Sequence, residues 1–234
     1  MLNLIAAAGF FLGLHLLISG TSLRGRIVAV TGETPYLGLF SLASVGGIVW
    51  LCMAYNATDA VPNRLYWIAP DWLVHSAPAI MLVAFLLALI GLTTPNPTAV
   101  KAEGLLEKPG TVTGILRVTR HPFLWSVIIW SALHLALNGD QASVIFFGTY
   151  LLLASLGTLS IDAKRRAKLG ESWKAFAGQT SNLPFGAIFA GRNKLRVSEL
   201  GLWRILLGLA GFGLMFFAHL WLFGVSPVPG WAPY

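Results

Sequence analysis

Residues 68–92 read IAPDWLVHSAPAIMLVAFLLALIGL, and beyond Asp71 the run holds no charged side chain. A helix crosses the hydrocarbon core of a bilayer with about 20 apolar residues. At 1.5 Å per residue the run spans roughly 37 Å as a helix, and it offers no charged face to water. The rest of the chain is of the same kind. Of 234 residues, 56% are hydrophobic and only 11% charged, whereas a soluble surface takes about 25–35% Lys, Arg, Glu and Asp. An ordinary cytosolic fold is excluded. Working outward from residue 68, further apolar runs fall at about 2–18, 37–55, 122–138, 142–160 and 203–223. The first lacks the basic start and small-residue cleavage site of a signal peptide, and its Gly9-x-x-x-Gly13 pair permits close helix approach. The expected fold is all-α: a polytopic membrane helix bundle of six transmembrane helices, with residues 1–234 forming one domain. The single cysteine, Cys52, excludes an internal disulfide and any Cys-x-x-Cys motif.

Alternating loops sort the sixteen Lys and Arg residues sharply. One side collects Arg24 and Arg26, then Lys101, Lys108, Arg117 and Arg120, then Lys164, Arg165, Arg166, Lys168, Lys174, Arg192, Lys194, Arg196 and Arg204; the other has only Arg64. By the positive-inside rule the rich side is cytoplasmic, so both termini are expected on the outer side. The net charge of +7 is thereby explained by topology. It points to the lipid bilayer as partner and to no nucleic acid.

A polar side chain in hydrocarbon is costly, which makes intramembrane ionisable groups functional candidates. No Asp, Glu, Lys or Arg lies well inside a span, but His15, His75, His134 and His219 do, and His121 stands at the start of the fourth. Neutral imidazole is the cheapest intramembrane ligand and a common axial ligand of haem iron. His15 lies about 20 Å from the outer end of its span and His134 about 18 Å above the start of the fourth, levels that one tilted macrocycle could bridge. His75 and His219 are more peripheral, and His75 is kept as a further cofactor-binding candidate. His121 and His134 point about 140° apart and cannot ligate one metal together. Pro122 suits the first helical position, so Arg120 and His121 stand at a positive helix start that favours an anion, such as a propionate, carboxylate or phosphate.

The string Thr119-Arg120-His121-Pro122-Phe123-Leu124-Trp125, with Ala132-Leu133-His134-Leu135-Ala136-Leu137-Asn138-Gly139-Asp140, resembles the signature of the NnrU family of bacterial membrane proteins. The same motifs occur in plant and cyanobacterial zeta-carotene isomerase. The likeness continues in Arg165 to Glu171, Thr180 to Phe185, Ala187 to Arg192, and in His15 with Leu16-Leu17. It implies a multi-pass inner-membrane protein, in which the outward termini expected from the basic residues would be periplasmic. In the isomerase branch it implies haem b, held by histidines, and isomerisation of a cis double bond in a lipid-soluble polyene, with reduced iron active. Carried across, the metal ligands fall on His15 and His134, while Arg120 and His121 take the catalytic motif. The bacterial branch is associated with nitrite and nitric oxide metabolism in denitrification. Arg120-His121-Pro122 is also similar to the motif of isoprenylcysteine and phospholipid methyltransferases, which use S-adenosylmethionine. Those carry two adjacent glutamates where this chain has Ile161-Asp162. A third class is a non-enzymatic haem-handling or transport protein. Against transport, no span is broken at its midplane and no intramembrane carboxylate is available for coupling.

Overall fold

A computed structural model describes residues 1–108 and 110–228. Among them the regular structure is helical, and one isolated bridge joins Leu65 to Asp140. Helix α1 (Leu2–Gly13) runs on as a π-helical segment, Leu14–Ser19. There follow α2 (Leu23–Thr31), α3 (Glu33–Asn56), α4 (Asp71–Thr93), α5 (Pro122–Asn138), α6 (Gln141–Gln179), α7 (Gly186–Phe189) and α8 (Leu202–Phe223). Five helical segments are long and apolar enough to cross a membrane: Leu2–Ser19, Glu33–Ala60, Asp71–Thr93, Gln141–Gln179 and Leu202–Phe223. Helix α5 is apolar but only 17 residues long, about 25 Å, and falls outside that set. The protein is a membrane protein by the same evidence: in α8 Leu214 and Trp221 are 74% and 85% exposed, which suits a lipid-facing helix.

Local chemistry accounts for the boundaries. Pro70 precedes α4, and Asp71 lies in its first turn, where a negative charge complements the helix dipole. Asp140 caps α6: its carboxylate accepts the Ser143 backbone N–H at 2.9 Å and the Ser143 hydroxyl at 2.6 Å. Gly139 turns the chain between α5 and α6 at φ 69°, and a Cβ there would lie 2.0 Å from the carbonyl oxygen of Trp67. Gly170 (φ 52°, ψ −122°) interrupts α6.

The chain divides into two compact units. The first comprises Met1–Ala69 and His134–Leu153. In it α1 packs on α3 at Gly47, where a Cβ would stand 3.1 Å from the Phe11 ring, and the Trp50 indole donates to Asn3 at 3.0 Å. The second comprises Pro70–Leu133 and the chain from Ala154 onward. There Gly208 and Gly211 bring α8 against Leu86 and Leu89 of α4, and a buried cluster of Leu87, Ile90, Ile115, Leu116, Val118, Trp173 and Phe176 forms its core.

Two elements differ from the expected spans. The run expected at 142–160 is the first half of a helix that continues to Gln179, because residues 161–179 combine strong helix formers with Trp173 and Phe176 buried on one face. The loop expected after the first span contains α2, which buries none of its residues.

Candidate functional sites

Arg120 and His121 stand just before α5, held there by the segment around residue 182. The Arg120 N–H donates to the Ser181 carbonyl at 2.9 Å, the Thr119 hydroxyl to the Asn182 carbonyl at 2.6 Å, and the Trp125 indole to that same carbonyl at 2.7 Å. Asn182 in turn donates to the Thr158 hydroxyl of α6 at 3.0 Å. The Arg120 carbonyl accepts from Asn96 at 3.0 Å and from Thr98 at 3.3 Å. With its backbone so fixed, Arg120 reaches Asp162 of α6: Nε lies 2.9 and 3.0 Å from the two carboxylate oxygens, and Nη2 makes a further short contact. His121 Nε2 lies 2.7 Å from Asp162 Oδ1, and its side chain is 1% exposed. The guanidinium also faces the ring of buried Trp173 at 5.8 Å. The anion expected at this positive helix start is thus supplied by the chain itself. Asp162, noted in the sequence only as a departure from a glutamate pair, is the residue that sequence reasoning missed. Its signal was present: an Asp just beyond an apolar run, in a chain whose other motif residues are both basic.

Two ion pairs fasten the neighbouring segments of this unit. Arg117 grips Glu199 through Nε at 2.6 Å and Nη2 at 3.0 Å, and the Gly114 N–H donates to the same carboxylate at 3.0 Å. Arg117, followed by the Gly114 N–H, holds the Glu199 carboxyl down at about 2. Glu103 pairs with Arg165 and, at 3.0 Å, with Lys168. Its own backbone N–H, then Lys168 and Arg165, outweigh burial and hold that carboxyl at about 2.

The remaining histidines part company. His15 sits in the π-helical segment, a rare geometry that is frequent at functional sites. Its Nδ1 lies 2.8 Å from the Phe11 carbonyl, and its ring neighbours are Phe11 at 4.5 Å and Phe40 at 5.2 Å. From Phe11 the rings continue through Tyr150 (5.7 Å), Phe146 (5.3 Å) and Phe147 (5.0 Å) to His134 (5.0 Å). Both histidines therefore belong to one aromatic cluster of the first unit, at different points along it. Tyr55 joins the cluster through Phe146 at 4.5 Å and bonds Ser143 at 2.9 Å. His75 is exposed, with Nδ1 2.7 Å from the Asp71 carbonyl. His219 is partly buried, with Nδ1 2.8 Å from the Val225 carbonyl.

His15 has a hydrogen-bond partner of the kind that a haem-ligating imidazole would need. A ligating imidazole commonly donates its second ring N–H to a carbonyl or carboxylate, and the Phe11 carbonyl lies 2.8 Å from Nδ1, placed to accept it. Among the described residues no group of three or more His, Cys, Asp or Glu side chains gathers into a metal site.

An all-helical membrane protein with a buried Arg-His-Asp clasp in one unit and a histidine-bearing aromatic cluster in the other is the class that fold and sites define. The chain belongs to the NnrU family: it matches the family described as NnrU protein over residues 3–227. It is similar to the chloroplastic 15-cis-zeta-carotene isomerase of Zea mays, with 32% identity over 83 residues, covering 36% of this chain and 23% of that protein. The enzyme of the same name from Arabidopsis thaliana is 31% identical over 83 residues, with the same coverage. The match thus spans about a quarter of the length of these curated relatives. No solved structure matches the chain.

Proposed function

We propose that this protein is a haem-b-dependent membrane isomerase acting on a cis double bond of a lipid-soluble polyene of the zeta-carotene class. The observation that carries the proposal is His15: a partly buried imidazole in a π-helical segment, oriented by the Phe11 carbonyl and set among aromatic rings. The likeness to two 15-cis-zeta-carotene isomerases supplies the substrate class. His15 would hold the haem iron, and His134, which belongs to the same aromatic cluster, is the candidate for a second ligand. When bound, haem would supply a redox-active iron, and cis–trans isomerisation consumes no net electron. The chain's own contribution is an aromatic cluster of Phe11, Phe40, Phe146, Phe147 and Tyr150 around the two histidines, apolar surroundings that suit a hydrocarbon substrate. Arg120 and His121 act through Asp162, positioning α5 against α6.

Six spans complete the proposal, with α5 as the short one and both termini on the periplasmic side of a bacterial inner membrane. The partition of basic residues, with Arg64 alone on the outer side, supports that orientation. The test is the absorption spectrum of purified full-length protein. A b-type Soret band is expected, lost in His15→Ala and shifted to a five-coordinate form in His134→Ala. A colourless protein after haem supplementation, or a band unchanged in both variants, overturns the proposal.

A further inference from the structure

Helices α1 and α6 of the first unit leave a groove between them of about 380 Å³, within the roughly 300–1,000 Å³ of small-molecule sites. Buried Ala8 and Thr149 form its floor, while Ile5 and Leu152 stand exposed on its rim. Both rim residues belong to segments apolar enough to span a membrane, so the groove opens sideways into hydrocarbon. Gly9 and Gly148 keep it open. A Gly-x-x-x-Gly pair such as Gly9 and Gly13 lets another helix close in, yet a Cβ on Gly9 meets no other part of the protein within 4 Å, and the same holds for Gly148. These glycines make room rather than a helix contact.

The lining selects a hydrocarbon. Its one polar side chain, Thr149, already donates its hydroxyl proton to the Ile145 carbonyl at 2.6 Å, so nothing in the groove holds a polar group. The groove also leads to the candidate site. His15 follows the lining residues Ala8 and Leu12 by seven and three positions, spacings that share one helix face, and it lies about 4.5 Å beyond Leu12 along the axis. Beside the groove, Phe11 of α1 and Tyr150 of α6 bring their rings to 5.7 Å, one end of the aromatic cluster that continues to His134. Aromatic faces favour a flat π-system, which a polyene offers and a saturated acyl chain does not. We propose that the groove between α1 and α6 binds one arm of a linear polyene, with the rest of the chain directed along α1 toward His15. The choice of polyene rests on the isomerase reading above.

The test reads binding rather than turnover. Full-length protein in mild detergent is titrated with 15-cis-zeta-carotene, and the circular dichroism that the achiral polyene acquires in a protein site is followed. Wild type is expected to give a saturable signal. Gly9→Leu and Gly148→Leu fill open space in the groove and are expected to weaken binding roughly tenfold, whereas Gly213→Leu, which fills open space on α8, is expected to bind as wild type does. The absence of a saturable signal from wild type overturns the proposal, and this result stands whether or not the variants fold. Wild-type affinity in both folded groove variants overturns it as well, as does an equal loss in Gly213→Leu. Displacement of the polyene by an equimolar saturated phospholipid overturns it and assigns the groove to acyl chains. Binding that the groove variants lose, in protein that shows no Soret band after haem supplementation, upholds the groove and overturns the haem reading alone.

Discussion

Replacing Asp162 by alanine strands a guanidinium and a buried imidazole at once. The carboxylate accepts from Arg120 at 2.9 and 3.0 Å and from His121 at 2.7 Å. The side chains of Arg120 and Asp162 are each 11% exposed and that of His121 is 1% exposed, so solvent screens the interaction little. Removing one partner of a buried ion pair costs about 3–5 kcal/mol, mostly because the other charge is left uncompensated. For a chain of this size each kcal/mol moves Tm by roughly 2–4 °C, so Asp162→Ala should lower it by about 6–20 °C. Differential scanning fluorimetry of full-length protein in detergent measures the shift. Replacing Arg120, His121 and Asp162 together by leucines should recover much of it, since a buried ionic cluster often contributes little net stability over an apolar one. A loss of less than about 1 kcal/mol in Asp162→Ala, the range of a solvated surface pair, would refute the description of the clasp as a buried, mutually dependent unit.

Two further outcomes follow from the geometry. Gly139→Ala should destabilise by about 1–3 kcal/mol, because φ is 69° and the new Cβ meets the Trp67 carbonyl at 2.0 Å; unchanged chemical unfolding would show that the turn is not built this way. Glu199 and Glu103 both have folded pKa values of about 2, below the ordinary 4.5. Their stabilisation is therefore complete above about pH 4.5 and is lost as pH falls toward about 2. Wild type should lose stability across that window and Glu199→Gln should lose less, whereas parallel curves would exclude Glu199 as a contributor.

Much of the fold was legible in the sequence because the bilayer imposes a simple rule on composition. The run read at 122–138 is α5, Pro122–Asn138, and that at 203–223 is α8 to within one residue. The rule fails where helices leave the hydrocarbon. Residues 161–179 of α6 carry Lys164, Arg165, Arg166 and Lys168, so no apolar run marks them, although Trp173 and Phe176 are buried. Helix α2 buries nothing and has no packing signature to read. Arg120 and His121 were recognisable as a motif, but their partner lies about forty residues away on another helix, and nothing local in the sequence encodes that pairing. His15 was legible as a candidate, because intramembrane polar groups are rare; the π-helical geometry around it was not, since no local composition signal marks a π-helix.

The central claim is tested most directly by turnover. Full-length protein, loaded with haem and reduced under anaerobic conditions, is mixed with 15-cis-zeta-carotene in micelles, and the isomers are separated by chromatography and identified by their absorption spectra. The account predicts loss of the 15-cis isomer with wild type and none with His15→Ala, at equal protein and in a folded state confirmed by its thermal transition. Haem-loaded wild type that leaves the 15-cis isomer intact, or His15→Ala that converts it at the wild-type rate, would contradict the account.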